Sequence, residues 1–314
     1  MKPSLPSGYS PCTLCPRMCR ADRTTASGFC GCSDKIMAAR AALHFWEEPC
    51  ISGPDYEPGG SGAVFFSGCT LRCCFCQNYE ISSRRTGKEL TVSQLADVFL
   101  RLQEQGAHNI NLVTATQFLP SILPALDKVR HKLSIPVVYN CGGYERLQTI
   151  RALQDYVDIW LPDLKYFDNE LARRYSRAGD YFETASQAIL QMISQTGAPQ
   201  FYTVSCQDGP DYSLMKRGVI IRHLVLPGQR HDSIRLLHWI KENLPKEQYL
   251  LSILSQYTPA FHSTKFPELN RRITTFEYER VVDEAISLGL TNGFMQKKSS
   301  AKEEYTPPFN LEGL

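Results

Sequence analysis

From residue 60 onward, short apolar segments alternate with longer segments of helical period. Apolar runs rich in β-branched and aromatic residues predict six strands, at residues 63–67, 110–114, 136–140, 157–161, 219–226 and 249–254. An amphipathic helix is predicted where Leu95, Val98, Phe99 and Leu102 recur at intervals of three and four. A second helix is predicted at residues 275–288, which open on a threonine cap and end before a glycine.

Strands that alternate with helices predict a parallel sheet joined by right-handed crossovers. Six β/α units are too few to close an eight-stranded barrel, so we expect an α/β fold, a partial (β/α)6 TIM-type barrel, at residues 59–296. Residues 1–58 form a separate cysteine-rich segment that is expected to bind metal. Residues 297–314 have few apolar side chains and are expected to form a flexible tail.

Three cysteines follow the first predicted strand on one tight loop. Cys69, Cys73 and Cys76 are spaced Cys-x3-Cys-x2-Cys, which allows each to hold one iron of an iron–sulfur cube and leaves the fourth iron open. A closed zinc site commonly uses two Cys-x2-Cys pairs, and only Cys73 and Cys76 form such a pair here. Cys74 is adjacent to Cys73 and is expected to lie in the core. The spacing favours an iron–sulfur cluster over zinc.

A second group of cysteines lies within the first 32 residues, which are rich in proline and glycine and too poor in apolar residues for a core. Bound metal would hold this segment together, because metal-binding free energy becomes folding free energy. The set Cys12-x2-Cys15-x3-Cys19 with Cys30 can hold a second iron–sulfur cluster or a tetrahedral zinc. The spacing leaves open whether Cys32 replaces Cys30.

Composition limits the classes of binding partner and the cellular compartment that we expect for this protein. The 314 residues carry a net charge of +2 with mixed signs throughout, which gives no argument for nucleic acid or an anionic membrane. No segment approaches the roughly 18 apolar residues that span a bilayer, and the proline-rich first 20 residues do not resemble a secretory signal. Twelve clustered cysteines in a chain of this length indicate a reducing cytoplasm. The isolated Cys50, Cys141 and Cys206 are expected to be buried free thiols.

The Cys69-x3-Cys73-x2-Cys76 spacing, with the aromatic Phe75 before the last cysteine, resembles the signature of the radical S-adenosylmethionine (SAM) superfamily. The resemblance implies that these three cysteines hold a [4Fe–4S] cluster whose open iron binds the amino and carboxylate groups of SAM. It also implies reductive cleavage of SAM to a 5′-deoxyadenosyl radical that abstracts hydrogen. An electron donor such as flavodoxin or ferredoxin is a further implication. In such enzymes the cofactor carries the hard chemistry and the protein orients it.

Polar residues at the later strand ends sharpen this resemblance. Asn140 follows the third strand, Asp163 and Lys165 follow the fourth, and Arg222 belongs to the fifth. This order is similar to that of the pyruvate formate-lyase activating enzymes, and the likeness implies that all four residues contact SAM. A monovalent cation beside Asp163 is also implied, because a carboxylate beside a cation and a sulfonium has an electrostatic role there.

The chain departs from the activating enzymes in two places. The sequence Thr-Ala-Thr-Gln at residues 114–117 replaces their Gly-Gly-Glu, and the extra cysteines precede the radical motif instead of following it. Tyr257 stands near the position of a histidine in those enzymes. These traits resemble a branch of their relatives that has an N-terminal cysteine box.

Three functions are compatible with these residues. The first is an activase that abstracts hydrogen from a partner glycyl radical enzyme, which the overall likeness favours. The second is a radical enzyme that modifies a peptide or a small metabolite. The third is a non-catalytic iron–sulfur protein for electron transfer.

Overall fold

The computed structural model describes residues 4–54, 59–205, 209–296 and 306–314, and one open sheet lies at its centre. In this part of the chain the strands are β1 (Ile36–His44), β2 (Ser61–Phe66), β3 (Lys88–Leu90), β4 (Asn109–Val113), β5 (Val137–Cys141), β6 (Ile159–Pro162), β7 (Gln200–Val204), β8 (Tyr212–Leu224), β9 (Leu250–Leu254) and β10 (Gly293–Met295). The helices are α1 (Pro49–Ser52), α2 (Tyr79–Ser82), α3 (Val92–Glu104), α4 (Leu119–Val129), α5 (Leu147–Ala152), α6 (Asn169–Ser176), α7 (Tyr181–Thr196), α8 (Arg230–Asn243) and α9 (Thr275–Ser287).

The sheet order is β10-β9-β8-β6-β5-β4-β2-β1-β3, and β7 pairs with β8 beside this path. Neighbours from β2 to β10 along the path are parallel, whereas β1 is antiparallel to both β2 and β3. The path does not return to its start, so the sheet is not closed. The predicted partial (β/α)6 barrel is confirmed, and its six predicted strands correspond to β2, β4, β5, β6, β8 and β9.

Local sequence explains where the predicted helices begin. Thr91 caps α3 in a capping box, because its hydroxyl accepts from the Gln94 amide while the Gln94 side chain accepts from the Thr91 amide. Helix α9 starts one residue after its cap, Thr274, which forms a second capping box with Glu277. The apolar stripe of α3 that the periodicity predicts is fully buried against the sheet.

The core fills both faces of the parallel strands. Every residue of β2, β4, β5 and β6 is buried, as expected where helices cover a parallel sheet. Cys50 and Cys141 are buried free thiols, as predicted, whereas Cys74 is half-buried at the edge of the core. Cys206 lies outside the described residues. No helix in the described ranges is long and apolar enough to cross a membrane.

Two regions differ from the sequence expectation. Strand β8 begins at Tyr212 instead of residue 219, because its first half pairs with β7 in a hairpin. The composition of residues 297–314 predicts a flexible tail, but residues 306–314 lie along β1. There Leu311 donates its amide to the Ala39 carbonyl and Phe309 packs edge-on against Phe65. Backbone pairing and one aromatic contact therefore fix a segment whose composition is polar.

Candidate functional site

The three cysteines of the predicted cluster lie on the loop between β2 and α2. Cys73 is buried, and Cys69 and Cys76 are half-buried. Each sulfur accepts one hydrogen bond: Cys69 from the Leu71 amide at 3.4 Å, Cys73 from the Ser176 hydroxyl at 2.9 Å and Cys76 from the Ser82 hydroxyl at 3.3 Å. Such donors stabilise sulfur in its anionic form, which is the form that ligates metal.

This donor set fits an iron–sulfur cluster. Burial raises the pKa of Cys73 and raises that of Cys76 to about 12. Burial alone therefore favours the neutral thiols, and a bound metal cation would be needed to stabilise the thiolates. Nowhere in the described ranges do three or more ligating side chains surround one point closely enough for a single metal ion. A cubane cluster has no such requirement, because each of its cysteines binds a different iron. The assignment of Cys69, Cys73 and Cys76 as ligands stays a prediction.

The four predicted cofactor-binding residues meet in one polar network, in which Asn140 is buried and the other three are half-buried. Arg222 Nε donates to Asp163 Oδ1 at 3.0 Å, and Arg222 Nη2 donates to Asn140 Oδ1 at 2.6 Å. Lys165 Nζ lies 2.6 Å from Asp163 Oδ2. Parallel strands place these residues together, because β5, β6 and β8 are neighbours and their carboxyl ends share one edge.

Glu47 completes this network, although its sequence position did not identify it. Its Oε2 accepts from Arg222 Nη1 at 3.0 Å, and its Oε1 accepts from the amides of Asn140 at 3.1 Å and Asn111 at 3.2 Å. Glu47 follows β1, which precedes the alternating strands and helices. The expectation that functional residues follow the parallel strands therefore does not include it. Two consecutive acidic residues before a helix-starting proline were the available signal.

Burial and ion pairing set the charges of the network. Burial opposes ionisation of Asp163, but Lys165 and Arg222 outweigh it and hold the pKa of that carboxyl below its ordinary value. For Glu47 burial dominates, and it raises the pKa of the carboxyl despite the partner Arg222. Burial together with Arg40 and Arg222 lowers the pKa of His44 to about 4, so this imidazole is neutral at pH 7.

A cavity of about 620 Å³ joins the cluster loop to the network. Cys73 and Cys76 line it together with Asn140, Asp163, Lys165 and Arg222. Tyr257 also lines it, but its hydroxyl donates to the Leu269 carbonyl at 2.6 Å, so it is not free to replace a histidine. A cavity with a few convergent polar groups is the usual form of a small-molecule site.

The segment that replaces Gly-Gly-Glu is turned inward. The Thr116 hydroxyl donates to Glu145 Oε1 at 2.6 Å and lies 2.9 Å from the Tyr139 hydroxyl. The Gln117 side chain donates to the Ser67 carbonyl at 2.9 Å. Both side chains are buried, and Gln117 supports the start of the cluster loop through the carbonyls of Ser67 and Gly68.

The N-terminal cysteines pack around a buried arginine. Cys12, Cys30 and Cys32 are buried, Cys15 is half-buried and Cys19 is exposed. A methyl group on Gly28 would lie 3.4 Å from Cys19 Sγ and 3.5 Å from Cys30 Sγ, so these two sulfurs approach the same point. Arg23 is fully buried and donates to the carbonyls of Gln117 at 2.7 Å and Ser33 at 2.6 Å, with Cys12 Sγ 3.7 Å away.

This segment is attached directly to the cluster loop. Cys32 Sγ lies 3.3 Å from the Ser67 carbonyl. Arg17 Nε donates to the Thr70 carbonyl at 2.8 Å and Nη2 donates to the Ser176 carbonyl at 3.1 Å. Arg17 therefore links the first cysteines to the loop that carries Cys69 and to the residue that donates to Cys73.

Comparison with known proteins gives one family match and several distant relatives. The model of the Radical SAM superfamily matches residues 63–199. An uncharacterized protein of Methanocaldococcus jannaschii is 26% identical over 285 residues, which cover 88% of this chain and 74% of that protein. A pyruvate formate-lyase-activating enzyme of Clostridium pasteurianum is 30% identical over 122 residues, 36% of this chain and 49% of that enzyme.

Among solved structures, Streptococcus suis SuiB bound to S-adenosylmethionine is similar with a TM-score of 0.49 and 12% identity. The similarity covers 75% of this chain and 50% of the SuiB chain. The matched region therefore spans about half the length of SuiB and of the Clostridium enzyme.

Proposed function

Because residues 63–199 form a radical SAM domain, as the cysteine spacing predicted, we propose that this protein cleaves SAM at a [4Fe–4S] cluster held by Cys69, Cys73 and Cys76. One observation carries the proposal: the cluster loop and the strand-end residues Asn140, Asp163, Lys165 and Arg222 converge on a single cavity, which Cys73 and Cys76 also line.

When bound, the cluster and SAM supply one-electron cleavage of the sulfonium and a 5′-deoxyadenosyl radical that takes a hydrogen atom from the substrate. The chain's own residues provide orientation and charge. Asp163, held ionised by Lys165 and Arg222, offers a carboxylate beside the cofactor and a position for a monovalent cation. The hydroxyls of Ser82 and Ser176 stabilise the ligating thiolates.

The N-terminal box belongs to the same proposal. Cys12, Cys15 and Cys19, with Cys30 or Cys32, would hold a second metal centre, which is either an iron–sulfur cluster or zinc. In the described structure these sulfurs do not surround a single-ion position, so zinc would require them to move closer together, whereas in a cluster each cysteine would bind a different iron. The fully buried guanidinium of Arg23 supports the proposal of a negatively charged metal centre. A buried positive charge is costly unless a negative charge lies nearby. Neutral thiols would not provide that compensation, whereas metal-bound thiolates would.

For the reaction, we propose an activase-like role, in which the hydrogen atom comes from a glycine of a partner glycyl radical enzyme. The similarity to a pyruvate formate-lyase-activating enzyme supports this role. A flavodoxin or ferredoxin would supply the electron. The second candidate is modification of a peptide or small metabolite, and the inward-turned residues 114–117 favour it, because the activating-enzyme pattern at that strand end is missing.

The test uses two neighbouring cysteines of the loop. Anaerobically reconstituted protein is assayed for iron content, for the spin-resonance signal of the reduced cluster, and for 5′-deoxyadenosine formed from SAM. We expect Cys73→Ala to lose the signal and the product, and the control Cys74→Ala to retain both. Cleavage by Cys73→Ala at the rate of the unchanged protein would contradict the proposal, and so would failure of the reduced protein to bind SAM.

The two reaction classes differ in their protein radical. Incubation of the reduced protein with SAM and a candidate glycyl radical enzyme should give a stable glycine-centred radical if the protein is an activase. Product formation that depends on a peptide or metabolite, without any stable protein radical, would favour the second candidate instead.

A further inference from the structure

Glu48 is a buried carboxyl with one unused oxygen at the wall of the cavity. It precedes α1 as the N-cap residue, its side chain is 6% exposed, and it lines the same cavity as Cys73 and Arg222. Ser252 hydrogen-bonds to the Glu48 carboxyl, but Oε2 has no hydrogen-bond partner within the described part of the chain. A buried acceptor without a partner is costly, so it indicates that something else binds there.

The neighbouring arginine does not satisfy Glu48. Arg222 donates to Glu47, Asp163 and Asn140, and neither of its two remaining N–H groups makes a hydrogen bond to Glu48 Oε2. Burial raises the pKa of Glu48 despite the attraction of Arg222, so its charged form lacks sufficient compensation. A cation beside Oε2 would provide it.

The charges around the cavity do not balance. Apart from the cysteines of the predicted cluster, its charged lining residues in the described ranges are Glu47, Glu48, Asp163, Lys165 and Arg222. His44 also lines it but is neutral at pH 7, since its pKa is about 4. The chain itself therefore brings three carboxyls and two cations to the cavity. SAM, which carries a net single positive charge, can balance this difference, so the need for a cation at Glu48 is local and comes from its unpartnered Oε2.

Glu48 is at the end of the cavity opposite the cluster. The cluster loop follows the carboxyl end of β2, whereas Glu48 follows β1, which is antiparallel to β2 and pairs His44 with Ser61 at the start of that strand. Helix α1 then packs Ile51 under the parallel strands, in a cluster with Val138 and Ile159. The open iron of the cluster would hold the ammonium of SAM beside the cluster loop, so a cation at Glu48 would belong to a different molecule.

We propose that Glu48 binds an ammonium or guanidinium group of the substrate at the inner end of this cavity. The inference rests on the proposed function, because it names the substrate class of the same site. A substrate with one such group would present its cation to Glu48 and direct the rest of its chain toward the cluster.

The test measures binding of small probes to unreduced, reconstituted holoprotein with SAM present. Calorimetric titrations compare n-butylammonium and n-butylguanidinium with butanol and butyrate, which have the same chain but no positive charge. We expect the cations to bind at least tenfold more tightly, which corresponds to about 1.4 kcal/mol or more. Butanol or butyrate binding as tightly as butylammonium would overturn the inference, and this comparison needs no variant.

Glu48→Gln then locates the site, because it keeps the shape and removes the charge. We expect it to weaken butylammonium binding at least tenfold, while Glu242→Gln, on the exposed face of α8, leaves binding unchanged. Equal binding by Glu48→Gln and the unchanged protein would refute the role of Glu48. Because probe binding requires no SAM cleavage, the proposed function and this inference fail in separate experiments.

Discussion

Gly68→Ala should destabilise the protein through the contact between the N-terminal cysteines and the cluster loop. Gly68 immediately precedes Cys69 and has φ of +81°. A methyl group there would lie 2.2 Å from Cys32 Sγ and 2.9 Å from the Cys30 carbonyl oxygen. Both distances are far shorter than van der Waals contact, and one of the obstacles is backbone. The substitution therefore forces the two segments apart.

The magnitude has two parts. A residue with a Cβ at a positive φ costs roughly 1–2 kcal/mol, and overpacking of a close-packed contact costs typically about 1–3 kcal/mol more. Gly106 is a control that isolates the backbone part of the cost. Its φ is +88°, and nothing lies within 4 Å of an added methyl group. Gly106→Ala should therefore show only the backbone part, and Gly68→Ala should exceed it by about 1–3 kcal/mol.

Urea unfolding of the anaerobic, metal-loaded protein measures both losses, because the N-terminal segment is expected to depend on bound metal for its fold. The variants are also made in a Cys32→Ala background, where the 2.2 Å contact partner is gone. We expect Gly68→Ala to cost less there, and Gly106→Ala to cost the same as before, as for independent sites. Equal losses for the two glycines, or no change in the Cys32→Ala background, would refute the reasoning.

Three further outcomes follow from other contacts. Arg222→Met should cost about 3–5 kcal/mol in urea unfolding, because it leaves the buried carboxylate of Glu47 without its cation and Asp163 with Lys165 alone, and adding Glu47→Gln should recover part of the loss. Phe309→Ala should cost about 1 kcal/mol in thermal unfolding, because it removes the edge contact with Phe65; no loss would contradict the docking of residues 306–314. Arg271 and local donors hold the pKa of Glu277 well below its ordinary value, so its stabilisation is complete above about pH 4.3 and is lost progressively as the pH falls from there toward the lowered pKa. Glu277→Gln should therefore cost about 1–3 kcal/mol at pH 7 and measurably less at pH 3, and an equal cost at both would contradict the assignment.

Periodicity predicted the barrel well because its strands are buried on both faces. Such strands are continuous apolar runs, and β4 and β5 could be located from Ile110 and Val137 onward without knowledge of their neighbours. The strand-end rule then brought Asn140, Asp163 and Arg222 to one edge, and the structure joins them by hydrogen bonds. These three residues lie close together because their strands are neighbours in the parallel sheet, in the order in which they occur along the chain.

Contacts made by segments outside the alternation could not be predicted in this way. Glu47 enters the network because β1 runs antiparallel to β2 and the following residues turn back beneath the parallel strands. The docking of residues 306–314 depends on the contact between Phe309 and Phe65 and on backbone pairing with β1. Amino-acid composition reveals neither of these contacts. Both depend on pairing between distant segments, which a single sequence does not show.

The N-terminal segment is joined to the barrel largely by arginines that donate to main-chain carbonyls. Arg17 donates to the Thr70 carbonyl, and Arg23 donates to the Gln117 carbonyl. Because every residue type has a carbonyl, the side chains at the accepting positions can change over evolution without loss of these bonds. The arginines cannot, since lysine has no planar fork to reach several carbonyls at once. Homologous chains should therefore vary more freely at the acceptor positions than at Arg17 and Arg23.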